Sequence, residues 1–142
     1  MKFKIVEKTP EDYGIKNYKF RPDGTLDVFE NVFINGSSLP KLPFNFGKID
    51  GYFNCGWNNN LKSLDGAPET VNGDFSCSWN KLKSLKYTPG IINGSFWCYA
   101  NKLITLEGLN LDGITGKIYV YDNPDLKLTE KEQLWATLNL GD

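Results

Sequence analysis

The sequence predicts a mainly β fold: a short parallel β-solenoid whose coils are about 21 residues long, with a helix-and-hairpin cap at the N-terminus and a helical cap at the C-terminus. Three observations carry the prediction. The stretch GDFSCSWNKLKSL at 73–85 returns almost intact as GSFWCYANKLITL at 94–106, and a looser copy, GYFNCGWNNNLKSL, precedes it at 51–64. Tandem self-similarity at a fixed spacing marks a repeat architecture. Within each copy, F-x-C alternates with the period of two that marks a strand with one buried face. Pro68 and Pro89 then fall between a leucine pair and the next strand, where they forbid a regular helix.

Residues 1–38 read as the N-terminal cap. The opening MKFKIVEKTPEDYG is interrupted by charges every few residues and has no signal-peptide apolar core. Thr9-Pro10-Glu11-Asp12 has the cap-then-proline order of a helix start, predicting a short helix over about 9–16. Strands are expected over 18–20 and 26–34, joined by a turn at Arg21-Pro22-Asp23-Gly24.

Four coils follow over 39–125, opening at Leu39, Leu61, Leu82 and Leu103. The first carries one extra residue after Asn58 and the last carries two. Leu42/Leu64/Leu85/Leu106, Ile49/Val71/Ile92/Ile114, Phe53/Phe75/Phe96/Ile118 and Cys55/Cys77/Cys98/Val120 form further apolar columns. No single coil can bury its own apolar side. Stacked coils can, because neighbouring strands lie about 4.8 Å apart and equivalent residues form continuous rows. Two other columns are equally firm: Gly51/Gly73/Gly94/Gly116 and Asn58/Asn80/Asn101/Asn123. The glycines are expected to let the backbone bend into the strand. The asparagines carry both donor and acceptor, and are expected to bond main-chain groups at the corner where the strand ends.

Residues 126–142 read as a C-terminal capping helix. Thr129-Glu130-Lys131-Glu132 is a capping box, launching a helix to about Leu138. Leu134, Trp135 and Leu138 fall on one face, with Trp135 expected over the last coil.

Composition narrows the function. A length of 142 residues suits one domain, and a net charge of −1 with a pI near 5.5 leaves no footprint for a nucleic-acid backbone. No apolar run approaches the roughly 18 residues of a bilayer span, so no membrane contact is expected and the chain reads as cytoplasmic. Histidine is absent, which removes the commonest general base and metal ligand. No paired carboxylates occupy matching outward positions and no nucleophile has an evident base, so neither catalysis nor a cofactor is expected.

Several motifs invite a chemical reading and fail it. Cys55, Cys77 and Cys98 lie in one inward column; a zinc site wants four ligands, and strand spacing exceeds the Cβ separation of a disulfide. They are expected to be small buried thiols filling the core. Gly108-Leu109-Asn110-Leu111-Asp112-Gly113 begins like a phosphate loop, but Ile114 stands where lysine is required. Asn35-Gly36-Ser37 and Asn93-Gly94-Ser95 have the form of glycosylation sequons and read as turns. Lys62, Lys81, Lys83, Lys86 and Lys102 follow the asparagine column, forming either a solvated edge or a docking edge for an acidic partner.

The outward positions are more informative. With Phe and Cys pointing in, Tyr52, Asn54, Asp74, Ser76 and Ser78 point out, as do Ser95, Trp97, Tyr99, Lys117, Tyr119 and Tyr121. Trp57 and Trp79 lie beside them. Trp97, Tyr99, Tyr119 and Tyr121 are expected to form one patch across neighbouring coils. Two readings stand: aromatic anchors of a protein interface, or cross-strand packing that shields an open sheet. The candidate partner-binding residues are Tyr52, Trp57, Trp79, Trp97, Tyr99, Tyr119 and Tyr121.

F-x-C-x-x-N-x-L-x-x-L resembles the leucine-rich-repeat core L-x-L-x-x-N-x-L, with Phe and Cys in strand positions. More closely, GAPETVNGDFSCSWNKLKSL and the leader YGIKNYKFRPDGTLDVFENV resemble a group of small leucine-rich-repeat-like proteins of tailed bacteriophages, over about residues 13–126. The chain departs from ordinary leucine-rich repeats in lacking a convex-side helix, and its last coil replaces the cysteine version with Tyr119-Val120-Tyr121 and Asn123-Pro124. The resemblance implies a phage source and a repeat scaffold, and carries no catalytic residues across. It makes the expected partner a bacterial host protein that the module blocks in the cytoplasm of the infected cell, such as a defence component or an RNA-polymerase-type factor. Other functions fit the same residues: a carbohydrate or nucleotide binder using Trp97 and Tyr119, or a self-associating virion component.

Overall fold

The structure is a computed structural model and describes residues 8–139. The N-terminal hairpin pairs β1 (Tyr18–Phe20) with β2 (Leu26–Val28), and β3 (Val32–Phe33) follows. Each later coil adds two short strands: β4 (Phe46–Ile49) and β5 (Phe53–Asn54), β6 (Thr70–Val71) and β7 (Phe75–Ser76), then β8 (Ile91–Ile92) and β9 (Phe96–Trp97). The last coil supplies β10 (Ile118–Tyr119), and the helix α1 (Glu130–Asn139) ends the described chain.

These strands form two sheets, ordered β1-β2-β4-β6-β8 and β10-β9-β7-β5-β3, parallel throughout except for the β1–β2 hairpin. The return half of each coil is therefore also a ladder, where the sequence reading expected only turns. Column Ile49/Val71/Ile92 had the apolar character of a buried strand, and its members pair directly across neighbouring coils. Ile114 extends the row by a single bridge to Ile92.

The core is a set of stacked rows. Phe53, Phe75 and Phe96 are fully buried, with ring centroids 5.5 and 6.0 Å apart. Leu61/Leu82/Leu103 and Leu64/Leu85/Leu106 close the third side of each coil. Cys55, Cys77 and Cys98 are buried free thiols in the same interior. Burial pushes the Cys55 and Cys77 thiols well up from their ordinary value, which keeps them unreactive.

The asparagine column acts as a staple from coil to coil. The Asn101 side-chain oxygen accepts the Leu82 N–H at 3.0 Å while its amide nitrogen donates to the Cys77 carbonyl at 3.0 Å. Asn123 repeats the pattern one coil later, with Leu103 N–H and the Cys98 carbonyl. Asn58 takes the N–H groups of Ser37 and Leu39. The extra residue of the first coil changes one bond: Leu61 N–H turns to the Asn58 carbonyl, and Asn80 takes the Asn58 N–H instead.

The glycine column has a different cause from the one expected. Gly51, Gly73, Gly94 and Gly116 are absent from the positive-φ residues, so a bend is not what selects them. They sit at the corner between the two sheets, where successive coils nearly touch. A Cβ at Gly94 would lie 2.6 Å from the Gly73 carbonyl carbon and 2.7 Å from its oxygen. Close approach is the requirement.

The caps differ in detail from the expectation. The N-terminal helix is a single 3₁₀ turn, Pro10–Tyr13, closed by reciprocal Thr9 and Asp12 bonds and ended by Gly14 at φ 77°. The single strand expected over 26–34 is broken into β2 and β3, which join different sheets. Phe29 N–H bonds the Asn17 carbonyl and the Glu30 carboxylate takes the Lys16 N–H, turning the chain between them. β2 and β3 thus stand in register with the coils that follow. At the other end the Thr129/Glu132 capping box is present. Leu134, which shares a helix face with Trp135 and Leu138 in the sequence reading, is 72% exposed, whereas Leu126 and Leu128 pack against the core. The expected packing of Trp135 and Leu138 lies outside the described side chains, as do residues 1–7 and 140–142 of the two expected caps. Among the described residues, no helix is long and apolar enough to cross a membrane.

Candidate functional site

The site begins with a backbone peculiarity. After each strand of the second sheet, the ladder of N–H donors continues to Trp57, Trp79 and Ala100, which bond the next coil's carbonyls at 3.0–3.1 Å. Trp57, Trp79, Ala100 and Asp122 then adopt left-handed conformations, with φ between 55° and 59°. That turn aims the following asparagine inward and leaves the left-handed side chain outside. Trp57 and Trp79 consequently stack in the open, their rings 4.4 Å apart and 16° from parallel.

The adjoining columns extend this row. Trp79 meets Tyr99 edge-on at 6.3 Å, and Tyr99 stacks on Tyr121 at 4.6 Å. Tyr99 also touches Trp97, which lies flat against Tyr119 at 3.7 Å and 8°. Six of the seven expected residues therefore form one unbroken aromatic surface across four coils. Trp57, Trp79 and Tyr121 are 54, 40 and 43% exposed, and the other three rings are half-buried. Burial within the stack raises the Tyr121 pKa, with Tyr99 and Asp122 adding to it, so this phenol stays neutral at physiological pH.

Tyr52 stands apart. Its ring lies over Gly73, close to where a Cβ would be, and among the described residues it makes no ring contact with the other six. It belongs instead to one end of a shallow cleft of about 230 Å³ on the same face. Phe33 and Tyr52 bound one end, Trp97 and Tyr99 the other, and Asn54 and Ser76 lie between. Asp74 lines the cleft as well. One of its carboxylate oxygens accepts the Ser95 N–H at 2.8 Å, and the other accepts the Trp97 indole N–H at 3.1 Å.

Comparisons with known proteins match this chain to no family, no curated protein and no solved structure.

Ser78 is a correction to the outward set. It is 2% exposed, and its hydroxyl accepts the Tyr99 N–H at 3.2 Å. It shares its column with Tyr99 and Tyr121, whose longer side chains reach the open face that the short serine does not. Phe33 was missed because it precedes the first recognised coil; its 57% exposure follows from its place on β3, in register with Asn54. Also missed was an exposed amide ladder at the glycine corner, in which Asn93 donates to Asn72 and Asn72 to Asp50, each at 2.9 Å. The five lysines after the asparagine column are all exposed. Gly108–Gly113 forms the return of the last coil, containing a 3₁₀ turn at Leu111–Gly113.

Proposed function

We propose that this chain is a non-enzymatic protein-binding module whose aromatic face docks a partner protein. The supporting observation is the unbroken run of six rings from Trp57 to Tyr121, left open on the outside of the second sheet. Rings that merely shielded a sheet would lie over the strands beneath them. Trp57 and Trp79 instead project from a left-handed corner beside the strands, where no sheet needs covering. Aromatic anchors contribute large areas with few rotors to lose, which is why they dominate interface energetics. Parallel coils hold them on a rigid, extended surface.

The sequence resemblance to phage repeat proteins makes a bacterial host protein the partner to seek first, with inhibition of a defence component as the expected consequence. The test is affinity capture from bacterial lysate with the wild type and a Trp79→Ser/Tyr121→Ser variant, read by mass spectrometry. One protein retained by the wild type and lost by the correctly folded variant supports docking through the face. Identical captures, including none by either, overturn it.

A further inference from the structure

We propose that the cleft between Tyr52 and Trp97 receives an arginine side chain of the partner protein. The inference rests on the docking reading above and adds the chemistry of one contact.

Charge comes first. Asp74 is the only ionisable carboxylate lining the cleft, and no lysine or arginine lines it. Among the described residues the ion pairs are those of Arg21 with Asp27 and Glu69, so Asp74 has no cationic partner. It is half-buried, and both its oxygens are already fixed by N–H donors. These bonds hold the carboxylate in place yet leave its charge uncompensated beside apolar rings. Each oxygen retains a further lone pair for an incoming donor.

Shape comes second. Tyr119 covers one face of Trp97 at 3.7 Å. The indole also lines the cleft, so its opposite face is the one turned toward Ser76 and Asn54. The indole N–H is held by Asp74, which fixes both the ring plane and the distance between ring and carboxylate. A planar cation can lie on that face while its N–H groups reach the carboxylate. Guanidinium is the side chain with this combination: it stacks on aromatic faces, is weakly hydrated and presents donors in a rigid plane. Tyr52 and Phe33 are about two and three strand spacings, roughly 10 and 14 Å, from Trp97 along the stack, leaving room for the aliphatic stem to lie across Asn54 and Ser76.

The test uses N-acetyl-arginine amide as probe and the matching citrulline amide as its uncharged isostere, titrated into the ¹⁵N-labelled full chain. The readout is the Trp97 indole N–H resonance, assigned by its loss in Trp97→Phe. A saturable shift is expected with the arginine probe and none with citrulline. Asp74→Asn is expected to weaken binding by about fivefold or more. Because that change also disturbs the indole bond, Ser76→Lys provides a second variant, placing a cation in the cleft and abolishing the shift. Equal shifts from both probes, undiminished binding to either variant, or no saturable shift up to the probe's solubility overturns the proposal. Capture by the Trp79 and Tyr121 rings is read independently, so a silent cleft with successful capture removes the arginine contact and leaves the docking face standing.

Discussion

Asn101 supplies partners for main-chain groups of two coils at once. Its side chain is 3% exposed and bonds the Leu82 N–H and the carbonyls of Cys77 and Tyr99. Truncation to alanine leaves buried groups unsatisfied, each costing about 1–3 kcal/mol. Asn101→Ala should therefore lower the free energy of unfolding by at least about 2 kcal/mol, measured as a shift in urea midpoint. Asn101→Asp keeps the acceptor but turns a second oxygen toward the carbonyls, so it should be the worse substitution at neutral pH. Equal or smaller loss for the aspartate would show that the donor half of the amide contributes little. This column was legible in the sequence because all four coils carry the same residue. The outer Asp50–Asn72–Asn93 ladder was not, since Asp50 and Thr115 interrupt the identity that made the inner one visible.

At the scale of elements, the glycine corner, the lone Gly90 and the N-terminal hairpin make separable predictions. Gly94→Ala drives a methyl group into the Gly73 peptide, a backbone neighbour that cannot rotate away. Overpacking of this kind costs about 1–3 kcal/mol. Gly90→Ala, with no atom within 4 Å of its added Cβ and no positive φ, should be neutral or mildly stabilising. Paired thermal melts of the two variants check the assignment, and similar losses would refute close approach as the cause. The hairpin is the acid-sensitive element. Arg21 bonds Asp27 at 2.8 and 3.0 Å and reaches Glu69 two coils on at 3.1 Å. The Asp27 carboxyl is held below the ordinary aspartate value chiefly by Arg21, Asp23 chiefly by the Thr25 N–H, and Glu11 chiefly by the Tyr18 hydroxyl. A depressed pKa contributes stability that is complete above the unfolded value, near 4, and is lost as pH falls through the folded one. Urea midpoints should drop between pH 5 and roughly pH 2–3, with hydrogen exchange opening first in β1 and β2. Asp27→Asn should flatten that dependence. Strand β3 shows where the sequence ran short at this scale. Residues 26–34 read as one continuous strand, because nothing local announces that the Asn17 carbonyl will take the Phe29 N–H and the Glu30 carboxylate the Lys16 and Asn17 N–H groups, turning the chain into the next sheet.

For the molecule as a whole, coil number and order followed from the repeat, whereas the division into two sheets did not. F-x-C displays its alternation openly. Thr70–Val71 and Ile91–Ile92 are two-residue strands behind a proline, too short for any period to show. The candidate site divides along the same line. Trp97, Tyr99, Tyr119 and Tyr121 were readable as outward positions, and the structure stacks them in pairs. The cleft at Asp74 was not readable, because its walls come from coils as far apart as Phe33 and Trp97 and only the stacking distance brings them onto one surface.

The inner staple also has a direction. Each asparagine from Asn80 onward ties its own coil to the one before it, and N–H groups such as those of Phe53, Cys55, Phe75 and Cys77 donate to carbonyls of the coil after. During synthesis on a ribosome the chain emerges N-terminus first, so each new coil meets an open edge of alternating donors and acceptors on the coil before it. The most recently made coil is tied on one side only until its successor covers the other. Locking coil by coil in the order of synthesis is the expected consequence.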